Sequence, residues 1–363
     1  MYEEVKVKRI EKNKPEFGNS EPVLITADND KKYYLKRRYT KRFNGRDEDA
    51  ASLQEYISYS IAKKLDVNVP NFAIINLDKN FVLKNKEIIK KEGLEQGKYF
   101  GSEFIENSVT APVKVQEINK SSTVDELWAK KEKYWKEFLA NIDPQIFADM
   151  IVFNIYISNQ DFFKNPTNLI SSIDKTGKKT LYAIDFAQSF VNPFLPSTDE
   201  QKIDDEGSKA KKDIENFNSS HFKVCKKVAL ENYVNKKGVP TFPLDLIGSE
   251  KDYKNNLVVL YFLSNELSFE SNPFKNMVTK IKNLSDKEIE QIVYNAPNEW
   301  FVSKYENEDK KVYLTFLKKN RYQVRHVIDY MVGREKMCSA PRCKRIELAM
   351  NLLEEPYGSK LKW

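Results

Sequence analysis

Apolar residues recur along the chain in two periods, and the period changes as the chain proceeds. Val5, Val7 and Ile10, then Pro22 to Ala27, then Tyr33 to Arg37 form short runs with Asp28-Asn29-Asp30 as a turn, which predicts a small β-sheet over residues 1–40. The period then lengthens: Leu53, Ile57, Ile61 and Leu65 lie four apart, predicting a helix over 50–65 that ends at Val67 to Pro70. The strand pattern returns in NFAIINL (71–77) and FVL (81–83). After a polar, lysine-rich segment at 84–97, Tyr99 to Ile105 predicts a strand that loosens into a crossing between two halves of the molecule. Residues 108–132 are polar and predict a loop into a helix, with Trp128 and Trp135 packing.

Beyond that point Ile146, Met150, Phe153 and Ile157 follow Pro144 at spacings of four and three, the mark of an amphipathic helix. Pro166 stops any continuation. Leu169 to Ile173 and Thr180 to Ile184 then flank Asp174-Lys175-Thr176-Gly177, which predicts a hairpin with Asp185 at its exit. Residues 191–280 read as an elaboration: a turn at Asn192 to Pro196, a polar exposed stretch to Asn216, and helices around 222–235 and 252–267. Ser285 with Glu288 predicts a capped helix start, and residues 334–363 form a tail with a short helix and a basic patch.

Three polar side chains stand where apolar packing would not ask for them. Asp161 and Asn168 sit in the loop before the hairpin, and Asp185 at its tip. Helix, loop with Asp and Asn, two-strand ribbon and a final Asp is the order of parts in phosphoryl-transfer sites, where a carboxylate orients the attacking group and hard oxygen ligands hold magnesium. Asp161 is then the candidate orienter, and Asn168 and Asp185 the candidate metal ligands, with Asn165 a competing ligand. In the first half, Gly18, Asn19 and Ser20 could let backbone N–H groups approach a phosphate. Lys36 could carry an ammonium from the sheet into a cleft, and Glu103 and Phe104 at the crossing are candidate nucleotide contacts. Glu55 is the candidate partner of Lys36, yet it points away from the apolar stripe of its helix and reads as solvent-facing unless that helix is packed on two sides. Each of these residues also has an ordinary reading as a turn, loop or surface residue.

Composition narrows the classes. The chain has 363 residues, 40% hydrophobic and 31% charged, with a mean hydropathy of −0.63 and no apolar run long enough for a membrane span. The start, MYEEVKVKRIEK, shows no apolar signal region, and three cysteines fit reduced cytoplasmic thiols better than a disulfide framework. Only two histidines are present, which disfavours a histidine-dependent triad or a zinc site. The net charge of +7 allows an anionic partner, and KKYYLKRRYTKR (31–42) could bind nucleic acid, although a strand with solvated charges explains it more simply.

The succession EFGNSEPVLITADNDKKYYLKRR, QEYISYSIAKKLDVNVPNFAIINL, YFGSEFIEN, VFNIYISNQDFFKNPTNLI and YAIDFAQSF resembles the bacterial HipA-like kinase family, in its compact branch without an N-terminal extension. The resemblance covers most of residues 1–333 and rests on order and spacing rather than on one motif. It implies an α+β, two-lobed protein-kinase-like fold: a small antiparallel β N-lobe with one helix over 1–106, a mainly helical C-lobe over 107–333, and a tail over 334–363. It implies ATP and Mg as cofactors, with Lys36 as the phosphate lysine, Glu55 its partner, Asp161 the catalytic carboxylate, Asn168 and Asp185 the metal ligands, and Gly18 to Ser20 the phosphate loop. The expected acceptor is a Ser/Thr hydroxyl of a protein, itself included, and an antitoxin-like or regulatory partner is to be looked for. The chain departs from the family in having Phe162-Phe163 where Arg-His usually follows the catalytic Asp, in an asparagine seven rather than five residues after it, and in lacking a glycine after Asp185. A catalytically silent nucleotide-binding scaffold is therefore the alternative, with a nucleic-acid-binding protein as a third reading.

Overall fold

The computed structural model describes residues 3–11, 22–36, 41–42, 46–47, 51–110, 137–159, 161–162, 165–187, 189–190, 272–301, 306–325 and 328. Gly18, Asn19, Ser20, Trp128, Trp135, Phe163, all three cysteines, both histidines, most of the elaboration after 190 and the tail from 334 lie outside the described residues.

The first half is built on a five-stranded closed barrel. Its early strands are β1 (Glu4–Ile10), β2 (Val23–Ala27) and β3 (Lys32–Leu35), and a short hairpin of β4 (Lys41–Arg42) and β5 (Arg46–Asp47) follows. Helix α1 (Ala51–Lys64) leads to β6 (Phe72–Leu77), α2 (Lys79–Lys84), α3 (Lys86–Lys91) and β7 (Gly97–Glu103). The barrel order is β1-β2-β3-β7-β6, closed by β1 running parallel to β6. Alternation decides which core each residue joins. Val5, Val7, Ile25, Leu35, Ala73, Ile75 and Leu77 fill the barrel, whereas Phe72, Ile74 and Phe100 belong to the larger core outside it. At Gly101 a Cβ would meet Ile75 Cγ1 at 2.5 Å, so only glycine lets β7 pass this close to β6.

Three expectations are corrected here. The sheet is not purely antiparallel, because α1 is a crossover that returns the chain parallel to β1, and closure leaves the barrel with no open edge. FVL (81–83) is not a strand: the Asp78 side chain accepts a hydrogen bond from the Phe81 N–H at 2.8 Å and caps α2, so a three-residue apolar run becomes helix. With α2 and α3, the described residues of this segment carry three helices rather than one.

The second half opens with a strand where the polar sequence predicts a loop. This is β8 (Ser108–Thr110), which pairs with β9 (Leu169–Ile173), itself paired with β10 (Lys179–Ala183). The β9–β10 turn closes at Gly177, where φ is +83°. Between β8 and β9 along the chain lies α4 (Pro144–Tyr156), with Pro144 in the first turn as the sequence predicts; the Asp143 side chain accepts from the Gln145 N–H and caps it. After residue 271 come α5 (Lys275–Asn283), α6 (Asp286–Tyr294) and α7 (Glu306–Asn320). Ser285 and Glu288 form the expected capping box of α6. The major core gathers α1, α4, α5, α6 and α7 side chains with the outer faces of β6 and β7. α1 is accordingly buried on almost all sides, from Ala51 to Ala62.

Candidate active site

Lys36 directly follows β3, and its backbone N–H donates to the Phe100 carbonyl at 3.0 Å and so holds it beside β7. Its side chain leaves the sheet toward α1 and the β9–β10 ribbon. Lys36 Nζ lies 2.8 Å from Asp185 Oδ1 and 3.1 Å from Glu55 Oε1. Glu55 is fully enclosed, because α1 is packed on two sides and the face opposite its apolar stripe meets protein rather than water.

Electrostatics follow from that enclosure. Burial is the main influence on Glu55 and Asp185 adds to it; Lys36 and the Phe186 backbone N–H oppose them, and the carboxyl is left raised to about 7. For Lys36, burial acts against the charge, but Asp185 and Glu55 together outweigh it and hold the ammonium well above the usual lysine range. Lys36 is thus a fixed cation shared between two acids.

Phe186 locks the Asp185 end of this cluster. Its ring meets Tyr59 at 5.2 Å and Phe153 at 5.6 Å, both edge-on, so one aromatic side chain ties the ribbon exit to α1 and α4. Asp185 itself has φ +63°, a left-handed conformation that costs a non-glycine residue about 1–2 kcal/mol and persists where the surroundings dictate it. Tyr59, one turn after Glu55, was not singled out from the sequence. Burial lifts its hydroxyl well above the usual tyrosine range, with Glu55 and Asp185 adding to the effect and a hydrogen bond with the Ser102 side chain opposing it.

On the ribbon's other side, the register sets Leu169 opposite Ala183, and the Ile184 N–H donates to the Asn168 carbonyl at 2.9 Å. Asn168 and Asp185 therefore flank the same open end of the ribbon. Asn168 Nδ2 donates to Asp161 Oδ2 at 2.7 Å, which links the loop carboxylate to that end. Asn165 does not take this place: its Oδ1 accepts from Thr167 N–H at 3.2 Å and Thr167 Oγ1 at 2.6 Å. Phe162, where the resembled family usually has arginine, is buried with its ring 6.2 Å from Phe147 and serves packing.

The crossing behaves differently from the rest. The Glu103 N–H donates to Asn71 O at 2.7 Å and the Phe104 N–H to Lys32 O at 2.8 Å, so both amides are engaged within the protein. Glu103 also pairs with Lys31 at 3.1 Å, and the Phe104 ring meets Tyr34 edge-on at 5.6 Å. A cavity of about 570 Å³ beside them is lined by Lys63, Asn68, Asn71, Glu103, Phe104 and Tyr182 among others, and by none of Lys36, Glu55, Asp161, Asn168 and Asp185. These contacts also bear on the basic stretch 31–42: Lys31 and Lys36 are paired, and Tyr33 is buried in the barrel.

Among the described residues no group of three or more His, Cys, Asp and Glu side chains could hold a metal. Asp185 and Asn168 still suit magnesium, which is commonly bound by one or two protein oxygens with the remaining positions filled by water and phosphate. No described helix is long and apolar enough to cross a membrane.

No curated protein matches this chain. Among solved structures, the chain is similar to the crystal structure of a Helicobacter pylori proinflammatory kinase, CtkA, with 13% identity, a TM-score of 0.51, and coverage of 98% of this chain and 100% of that one, which shows a shared fold. Residues 7–128 match the family model for HipA-like kinases, a span that contains Lys36 and Glu55, so the resemblance read from the sequence is borne out there.

Proposed function

We propose that the chain is an ATP- and Mg-dependent kinase that transfers the γ-phosphoryl group to a Ser/Thr hydroxyl of a protein, itself included. The observation that carries this reading is the Lys36 ammonium bridging Glu55 of α1 and Asp185 of the ribbon, because it joins residues 149 positions apart at one point. The similarity to HipA-like kinases over residues 7–128 supports it. On this reading residues 1–106 and 107–333 are two lobes joined at the crossing, with the nucleotide between them, in a protein of the cytoplasm.

Each residue then has a task. Lys36 binds phosphate oxygens, and Glu55, too deeply enclosed to follow solvent, keeps its ammonium aimed. Asp161, held by Asn168, accepts the proton of the acceptor hydroxyl as that oxygen bonds to the γ-phosphorus and the bond to the β-phosphate oxygen breaks, releasing ADP. Asn168 and Asp185 would hold magnesium, which when bound offsets the charge of the phosphates. Gly18 to Ser20 would cover the phosphates, and Glu103 and Phe104 would contact the base through groups other than their two engaged amides. The test is labelled ATP with magnesium and the purified chain beside Asp161→Ala: label on protein with the natural chain alone supports the reading, and equal labelling with both removes it.

A further inference from the structure

We propose that Asn165 and Thr167 are positioning residues that carry the candidate site across its two-residue loop insertion; this rests on the kinase reading above. The insertion lengthens the path from Asp161 to Asn168 to seven residues, and an unbraced loop of that length would leave the two side chains free to part. The chain instead folds the surplus into a 3-10 turn, Pro166–Asn168, and Asn165 contributes three separate restraints to it. Its backbone N–H donates to the Asp161 carbonyl at 2.7 Å, and its own carbonyl accepts from the Asn168 N–H at 3.1 Å. Its side-chain oxygen accepts from both the Thr167 N–H and the Thr167 hydroxyl. Pro166 adds a fixed φ at the start of the turn.

Two consequences follow from the chemistry. A carboxamide oxygen has two lone pairs, and both on Asn165 Oδ1 are engaged by Thr167, so that oxygen could reach a cation only by breaking the turn that places Asn168. Secondly, the same turn fixes both members of the Asp161–Asn168 hydrogen bond, one from each side. Loosening it should therefore weaken metal retention and transfer together, without touching Lys36 or the barrel. Outer residues that orient metal ligands typically change metal affinity or activity by about 10- to 100-fold.

The test uses the full chain with Asn165→Ala, Asn165→Asp, Thr167→Val and Thr167→Ser. Two readouts are taken: the thermal shift produced by ATP with EDTA against ATP with magnesium, and the magnesium concentration giving half-maximal transfer. Asn165→Ala and Thr167→Val are expected to raise that concentration about 10-fold or more and to shrink the metal-dependent part of the shift. The shift with ATP and EDTA should stay unchanged, as should the melting temperature without ligand to within a few degrees. Asn165→Asp and Thr167→Ser, which keep an acceptor and a hydroxyl in place, should stay within a few-fold of the natural chain. Tighter metal binding by Asn165→Asp with a silent Thr167→Val would make Asn165 a ligand and overturn the proposal, as would four silent variants. If the natural chain shows no metal-dependent shift at all, the kinase reading falls and takes this proposal with it; a shift present there but unaltered in all four variants overturns the proposal alone.

Discussion

Replacing Lys36 with methionine keeps the aliphatic stem and removes the charge shared by two carboxylates, and the effect should depend on pH because Glu55 titrates near neutrality. Its folded-state value of about 7 lies above the ordinary 4.5. A raised value means that the stability contributed by Glu55 is fully present below about pH 4.5 and is lost as pH rises through about 7. Without Lys36 an attractive charge is gone while burial and Asp185 still act, so the value climbs and the loss continues to higher pH. Near about pH 5.5 Glu55 is protonated in both proteins and the variant lacks chiefly the pairing with the partly exposed Asp185, a deficit of about 1–2 kcal/mol. Near about pH 8.5 the natural chain has completed its loss while the variant, with its higher value, is still losing about 1.4 kcal/mol per pH unit, so the deficit grows to about 3–4 kcal/mol. Urea titrations followed by tryptophan fluorescence at several pH values would measure the gap. A gap that stays constant, or that narrows as pH rises, would refute the assignment of Lys36 and Glu55 as a buried pair.

Other outcomes follow from the same contacts. Asp161→Asn should lower phosphoryl transfer by about 10²- to 10⁴-fold while ATP with magnesium still raises the melting temperature, since the change removes a proton acceptor and not the binding residues. Phe186→Ala should destabilise the chain by about 3–5 kcal/mol in chemical denaturation, because its ring is fully buried between Tyr59 and Phe153. Gly101→Ala should lose about 1–3 kcal/mol, as the added methyl overlaps Ile75, and the same change made in an Ile75→Ala background should cost less. Ser285→Ala should cost about 1 kcal/mol by uncapping α6, read as a lowered urea midpoint.

What could be read from the sequence was what is encoded locally. α4 announced itself through Pro144 and a regular apolar spacing, and the β9–β10 hairpin through Gly177 and its flanking runs. Lys36 stood out because it follows two aromatics and a leucine at a strand end, from which an ammonium could reach into a cleft. Glu55 was obscured by the assumption that a helix buries one stripe; α1 is enclosed between the barrel and the helices, so its polar face is buried too. The short strand β8 was missed because Ser108-Val109-Thr110 holds one apolar residue and is decided by its pairing with β9, and helix α2 because the three-residue run FVL carries almost no periodicity and is decided by the Asp78 cap. The parallel closure of β1 on β6 was likewise a matter of long-range pairing. That Asn165 bonds its own turn while Asn168 bonds Asp161 is a matter of side-chain geometry, which residue types alone do not encode.

Growing crystals with a non-hydrolysable ATP analogue and manganese in place of magnesium tests the central claim most directly, since the metal's anomalous signal marks its position without reference to activity. The metal is expected on Asp185 and Asn168, with the triphosphate against Lys36 and the γ-phosphate facing Asp161. A metal held by Asn165, or a nucleotide seated in the cavity beside Glu103 and Tyr182 with Lys36 still bonded only to its two carboxylates, would contradict it.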